Sequence, residues 1–233
     1  MIEFFTNFWA SLTEAAADIG VMLPVLMEGS MITVSLFVLT LLFSLPLGLV
    51  FTLGSTCKAA PLRGLSRFYI WIFRGTPLML QLFFFYFFLP IFFGIRMEVF
   101  TTAVVTFVLN YAAYFAEIYR GGIGSIDKGQ WEASQSLGLS PRRTLFGVIL
   151  PQTFKRVLPS ISNEAITLIK DTALVSVIGV ADLMKNAKGI VNREVNALAY
   201  AVAAAIYLLF TFLLTLLSQK LEKRFSRHEN QEG

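Results

Sequence analysis

The chain has 233 residues, 56% of them hydrophobic and 23 of them Phe, and its mean hydropathy is +0.68. A soluble domain holds roughly 45–50% apolar residues, so the excess excludes an ordinary water-soluble globule and makes lipid the solvent. The formal net charge of +4 carries no message about nucleic acid in such a chain, and the single cysteine, Cys57, excludes an internal disulfide.

The first residues contain Glu3 and no basic side chain, so they do not read as a cleavable signal peptide. Phe5, Trp9 and Leu12 recur at helical spacing opposite Asn7, Glu14 and Asp18, which predicts an interfacial amphipathic helix over 2–18. A membrane-crossing helix needs about 20 apolar residues. Stretches 30–53, 67–93, 100–119, 157–180 (the least apolar) and 197–217 meet or approach this. With no water in the bilayer centre, each must satisfy its own backbone as helix. With five spans, thirteen Lys and Arg fall on one set of loops and four on the other. Basic residues favour the cytoplasmic side, so the N-terminus is expected outside and the C-terminus in the cytoplasm. The expected fold is an all-α membrane protein. It comprises an N-terminal interfacial segment (1–28), a transmembrane domain (29–222) with a cytoplasmic loop at 124–152, and a cytoplasmic tail (223–233).

That loop carries the densest local signals. Gly138 suits the left-handed conformation past a helix end, so a first helix over 128–137 should stop there. Ser140 reads as an N-cap and Pro141 as the first position of a second helix, with Leu145, Val148 and Ile149 on one face. Pro151 is expected to end or kink that helix. Such a hairpin, basic in its second arm, reads as a docking element; the competing reading is an ordinary interfacial loop.

The residues Glu132-Ala133-Ser134, then Gly138, then Val148 and Leu150-Pro151 resemble a motif of permease subunits of ATP-binding cassette (ABC) importers. That motif runs Glu-Ala-Ala, three residues, Gly, nine residues, Ile, one residue, Leu-Pro. Ser134 and Val148 are the two departures, both conservative in size. The stretches 73–78 with Gln81, 116–123, 162–166 and 170–174 are similar to the polar amino-acid permeases (histidine, glutamine, arginine and cystine types). The resemblance implies a type I ABC importer fold in the bacterial inner membrane, working by alternating access. It implies that the loop is a coupling helix, with Glu132, Ala133, Gly138, Pro141 and Arg142 facing an ATPase subunit. The implied partners are two ATP-binding cassette subunits carrying ATP and Mg, a second permease subunit (identical or related), and an extracytoplasmic amino-acid-binding protein. No cofactor is expected in this chain, and no nucleic acid.

Ionisable groups inside spans cost roughly 2.5–3.5 kcal/mol each on insertion scales and are therefore functional candidates. Here they are Arg74, Glu117, Glu164, Lys170 and Asp171. Pro77 should break its helix, with Thr76 capping a new half-helix. The positive end of that half-helix, beside Arg74, predicts a seat for a substrate carboxylate. The competing reading is a plain kink with Arg74 paired to Glu117. Glu164 falls roughly 18 Å along its helix from Pro151, near the midplane, where a carboxylate can hold an ammonium group. The competing reading there is a buried Glu paired to a neighbouring helix. Asn163 and Gln81 offer neutral polar contacts, and Lys170 and Asp171 mark the outer end of the span. No Gly-Lys pair occurs, so there is no P-loop; the one histidine, His228, lies in the tail. Neither enzymatic activity nor a His/Cys metal site is expected. The alternative function is an ion-coupled secondary transporter or channel using Glu164 and Asp171, against which the docking hairpin speaks.

Overall fold

The computed structural model describes the backbone of residues 2–226 and the side chains of residues 13–225, and among these every regular element is helical. Helix α1 (Ile2–Thr56) is continuous over 55 residues. At 1.5 Å per residue it is about 80 Å long, against a hydrocarbon core of roughly 30 Å. The expected separation of an interfacial helix from the first span is therefore not found. Tertiary contacts hold the intervening turns in helix despite Pro24. Met22 and Leu26 are buried against Leu183, Ala187, Ile190, Ala199 and Ala203. The Asn186 amide donates to the Val25 carbonyl at 2.8 Å, and the Asn196 amide donates to Asp18 at 2.8 Å. The side chains of Phe5, Trp9 and Leu12, on which the amphipathic pattern rests, lie outside the described residues.

The second stretch is not straight. Helix α2 (Ala60–Gly75) meets α3 (Leu78–Phe83) at a 107° bend, and α3 continues through a π-helical turn (Phe84–Phe88) into α4 (Leu89–Phe93). Pro77 is the cause. Its ring drives the residue before it out of the helical region, and Thr76 sits extended at φ −120°, ψ 144°. Thr76 does not cap the new helix: Pro77 occupies the N-cap position and no side chain caps it. The Thr76 hydroxyl instead donates back to the Ile72 carbonyl at 2.8 Å.

Helix α5 (Val99–Gly124) begins at Glu98, whose carboxylate accepts from the amides of Phe100 (2.9 Å) and Thr101 (2.8 Å). It crosses α1 closely. A Cβ placed on Gly48 would stand 2.8 Å from the Phe115 Cβ, and Ala112 and Ala116 are fully buried. Small residues let helix backbones approach in this way inside a membrane. The Thr52 hydroxyl lies between the carbonyls of Gly48 (2.8 Å) and Ala116 (3.0 Å) at the same crossing. Leu36, Phe107, Tyr111, Phe115, Leu168 and Val175 form the centre of the core.

After α6 (Lys128–Ser136) comes α7 (Pro141–Thr144), which runs through a second π-helical turn (Leu145–Ile149) into α8 (Leu150–Asp171) and a 3₁₀ segment (Thr172–Ile178). Pro151 was expected to end or kink the helix, and it does not end it. The Leu150 amide reaches back five residues to the Leu145 carbonyl. That wider turn accommodates a residue with no N–H of its own. Helix α9 (Leu183–Glu194) packs on α1, and α10 (Leu198–Ser226) closes the chain. By length and apolarity α1, α5 and α10 qualify as spans, and the bent α2–α4 pair adds a fourth if it counts as one. Helix α8, expected as a span, carries Lys155, Arg156, Glu164, Lys170 and Asp171. It lies against α5 and α10, so part of its polar surface meets protein rather than lipid.

Candidate functional site

Two groupings carry the predicted residues. The first is the hairpin. Asp127 caps α6, accepting from the Gly129 amide at 2.6 Å. At the other end Gly138 takes φ +71°. The Gly138 amide donates to Gln135 (2.9 Å) and the Leu139 amide to Ser134 (3.0 Å). This crossed pair of bonds closes a helix through a left-handed residue. The Ser140 hydroxyl then accepts from the Arg143 amide to start α7. Glu132, Ala133, Gly138, Pro141 and Arg142 are all exposed. Ser134, the departure from the motif, is buried and donates its hydroxyl to the Gln130 carbonyl at 2.7 Å. That bond satisfies the extra polar atom. The Gln152 amide donates to Gln130 at 3.1 Å, and the Arg156 guanidinium donates to the Ser125 carbonyl. The start of the hairpin is thereby tied to α8.

The sequence reading missed Leu137. It stands 79% exposed at the hairpin tip, a large uncovered apolar side chain. Helical periodicity could not single it out, because it sits where the helix ends.

The second grouping surrounds the α2–α3 bend. Glu117 on α5 accepts two bonds from Arg120 (2.9 and 2.6 Å), and Arg74 on α2 stands 3.4 Å from the same carboxylate. Arg74 also lies over the Tyr114 ring, 5.4 Å from its centroid. The expected alternative pairing of Arg74 with Glu117 is thus present. It does not exhaust Arg74, which has five donors and a 43% exposed side chain. A cavity of about 560 Å³ opens beside it, lined by Arg67, Trp71, Arg74, Tyr114, Glu117 and Arg120. Three guanidiniums face one carboxylate there, so the cavity favours anions. Glu117 itself is committed to two arginines.

Glu164 on α8 is half-buried and within electrostatic reach of Arg74 and Asp171. The Tyr111 hydroxyl donates to Asp171 at 2.7 Å. Arg67, Arg74 and Arg120 thus make a cationic flank, and Glu164 and Asp171 an anionic one that Tyr111 joins. Asn163 is exposed on a different face of α8 and does not join this group. Gln81 is buried and spent on the bend: its amide donates to the Phe73 carbonyl (2.9 Å), the Thr76 carbonyl (3.2 Å) and the Thr76 hydroxyl (2.8 Å). Asn110 in turn donates to Gln81 at 2.9 Å. These two amides meet backbone groups that the break leaves without helical partners. The sequence reading did not single out Asn110, Tyr111 and Tyr114. Their signal was available, since residues 110, 114 and 117 share one face of a helix at spacings of four and three.

The family model described as "Binding-protein-dependent transport system inner membrane component" matches residues 44–227. The L-cystine transport system permease protein TcyB of Bacillus subtilis is 41% identical over 207 residues, covering 88% of each chain. The arginine transport system permease protein ArtQ of the same organism is 38% identical over 208 residues, covering 89% of this chain and 95% of its own. A crystal structure of an amino acid ABC transporter with histidines superposes with a TM-score of 0.84 at 35% identity, over 89% of this chain and 97% of that one.

Proposed function

The chain belongs to the family of binding-protein-dependent transport system inner membrane components, and from that membership we propose how its two groupings divide the work of importing a polar or charged amino acid. The protein is a permease subunit of an amino-acid ABC importer. Hydrolysis of ATP, with its Mg ion, falls to two cassette subunits, one of which seats against Glu132, Ala133, Leu137, Gly138, Pro141 and Arg142. A second permease subunit and an extracytoplasmic binding protein complete the complex. The hairpin faces the cytoplasm and the N-terminus lies outside, as the distribution of basic residues supports.

The observation that carries this reading is the unbroken path through Pro151. The second arm of the hairpin, the π-helical turn and α8 form one helical run from Pro141 to Asp171. A displacement of the second arm is therefore carried along one helical run toward Glu164 and Asp171. The cationic flank at Arg74 suits a substrate carboxylate, which a guanidinium binds with forked geometry. The anionic flank at Glu164 suits an ammonium. Glu117 positions Arg74, and Thr76 and Gln81 hold the bend. Asn163, exposed on a different face of α8, stands apart from both flanks. The ion-gradient alternative draws no support from this family membership.

The test is uptake by the complex reconstituted with its cassette subunits, using a panel of labelled amino acids. ATP-dependent uptake of a polar or charged amino acid is the expected result. Uptake that proceeds without the cassette subunits would overturn the reading.

A further inference from the structure

A second charged cleft lies away from the transport site, between α8 and α10 at the end that carries the hairpin. Its volume is about 360 Å³, and its lining includes Lys155, Arg156, Leu158, Pro159, Glu222 and Lys223. Three cations there face one carboxylate. Among the described residues, no carboxylate lies within ion-pair distance of Lys155, Arg156 or Lys223. Arg156 spends part of its guanidinium on the Ser125 carbonyl and keeps its other donors. The wall of the cleft is apolar: Leu158 is buried, and the Phe225 ring meets Phe154 edge-on at 5.3 Å.

The surface leading to this cleft is equally informative. Phe212, Leu216, Gln219 and Lys223 follow one face of α10 at spacings of four, three and four. Phe212 is 57% exposed and Leu216 40% exposed, so the stripe is apolar and uncovered until it reaches the cations. Helix α10 crosses from apolar to charged composition at the same level. A free phosphate would satisfy the cations and leave the stripe unused. A molecule with both a phosphate and acyl chains matches both features, and basic pockets between helices on the cytoplasmic side are where anionic headgroups collect.

We propose that this cleft binds the phosphate headgroup of an anionic glycerophospholipid, with Lys155, Arg156 and Lys223 on the phosphate and the acyl chains along Phe212 and Leu216. The site is separate from the substrate path and does not depend on which amino acid is carried.

The test uses the complete transporter complex in detergent, titrated with phosphatidylglycerol or phosphatidylcholine and read by native mass spectrometry. The double variant Lys155→Gln/Lys223→Gln should retain phosphatidylglycerol less well, by about fivefold per cation removed, with phosphatidylcholine unchanged. The variant Lys155→Arg/Lys223→Arg, which keeps the charge, should retain it normally. An equal loss in Arg96→Gln/Lys188→Gln, whose cations lie elsewhere, would reduce the effect to net charge and overturn the proposal. So would displacement of the lipid from the unmodified complex by millimolar inorganic phosphate, which would mark a free-anion site. Release of the cassette subunits from the glutamine variant with lipid retention intact would make the cleft a protein contact instead.

Discussion

The turn of the hairpin is closed by bonds between residues no more than five apart, such as Leu139 to Ser134, whereas the charged cluster gathers Arg74, Glu117, Glu164 and Asp171 from α2, α5 and α8. The hairpin keeps its shape through one left-handed glycine and two caps. The cluster keeps its shape through a broken helix, two amides and a shared carboxylate. The two prolines show the same contrast. Pro77 bends its chain by 107° because Thr76 is extended and a polar clasp waits to meet the freed carbonyls. Pro151 leaves its helix unbroken because a wider turn precedes it. A locally closed element can dock and move as a unit. A cluster assembled across helices changes whenever those helices shift, and alternating access requires such a change.

Substitutions can break this contrast. The largest effect is expected from Gly138→Val, which forces a β-branched residue to φ +71° at a cost of order 1–3 kcal/mol. ATP-driven uptake should fall by more than about tenfold while the cassette subunits keep their basal hydrolysis; parallel uptake and phosphate-release assays would show it. Retained uptake would mean that the hairpin does not transmit the motion.

Glu164→Gln removes one charge from the anionic flank and leaves the hairpin untouched. A charge-assisted hydrogen bond is worth about 1.5–3 kcal/mol, so KM for uptake should rise on the order of tenfold, with assembly of the complex intact. Unchanged uptake kinetics would take Glu164 out of the substrate path. Gln81→Leu acts on the clasp instead. It removes the acceptor that Asn110 meets on Gln81 and a donor from the Phe73 and Thr76 carbonyls, while Asn110 still reaches Phe73, at a cost of about 1–3 kcal/mol. The melting temperature in detergent should drop, and uptake should fall only with the folded fraction. A changed substrate preference would instead make Gln81 a direct contact.

The smallest effect belongs to Glu98, at the exposed start of α5. The amides of Phe100 and Thr101 hold its carboxyl below the usual carboxylate range. A lowered folded-state value means stabilisation that is present above the ordinary pKa and lost as pH falls through the lowered one. Thermal melts from about pH 5 down to about pH 3 should show a small loss in the native protein that Glu98→Gln lacks. Equal slopes in both would show that the cap contributes nothing.

Much of the hairpin was legible in the sequence because its determinants are local. Gly138, Ser140 and Pro141 each specify a backbone conformation within one turn, and all three take it. The path through Pro151 was not legible, because a proline reads as a breaker and nothing in the local sequence announces a π-helical turn. The charged residues of the cluster were legible as expensive groups in lipid. Their partners were not, since Gln81 meets Asn110 and Tyr111 meets Asp171 across 29 and 60 residues of chain.

Composition and residue order by themselves determined that this is a helical membrane protein with a capped helical hairpin, because hydropathy and capping act over a few turns. Only the tertiary structure decided that α1 is one helix, that Gln81 belongs to the bend, and that hairpin and cluster share a single helical run. Those outcomes depend on contacts between distant segments, where a side chain's energy is set by the neighbour that folding brings to it.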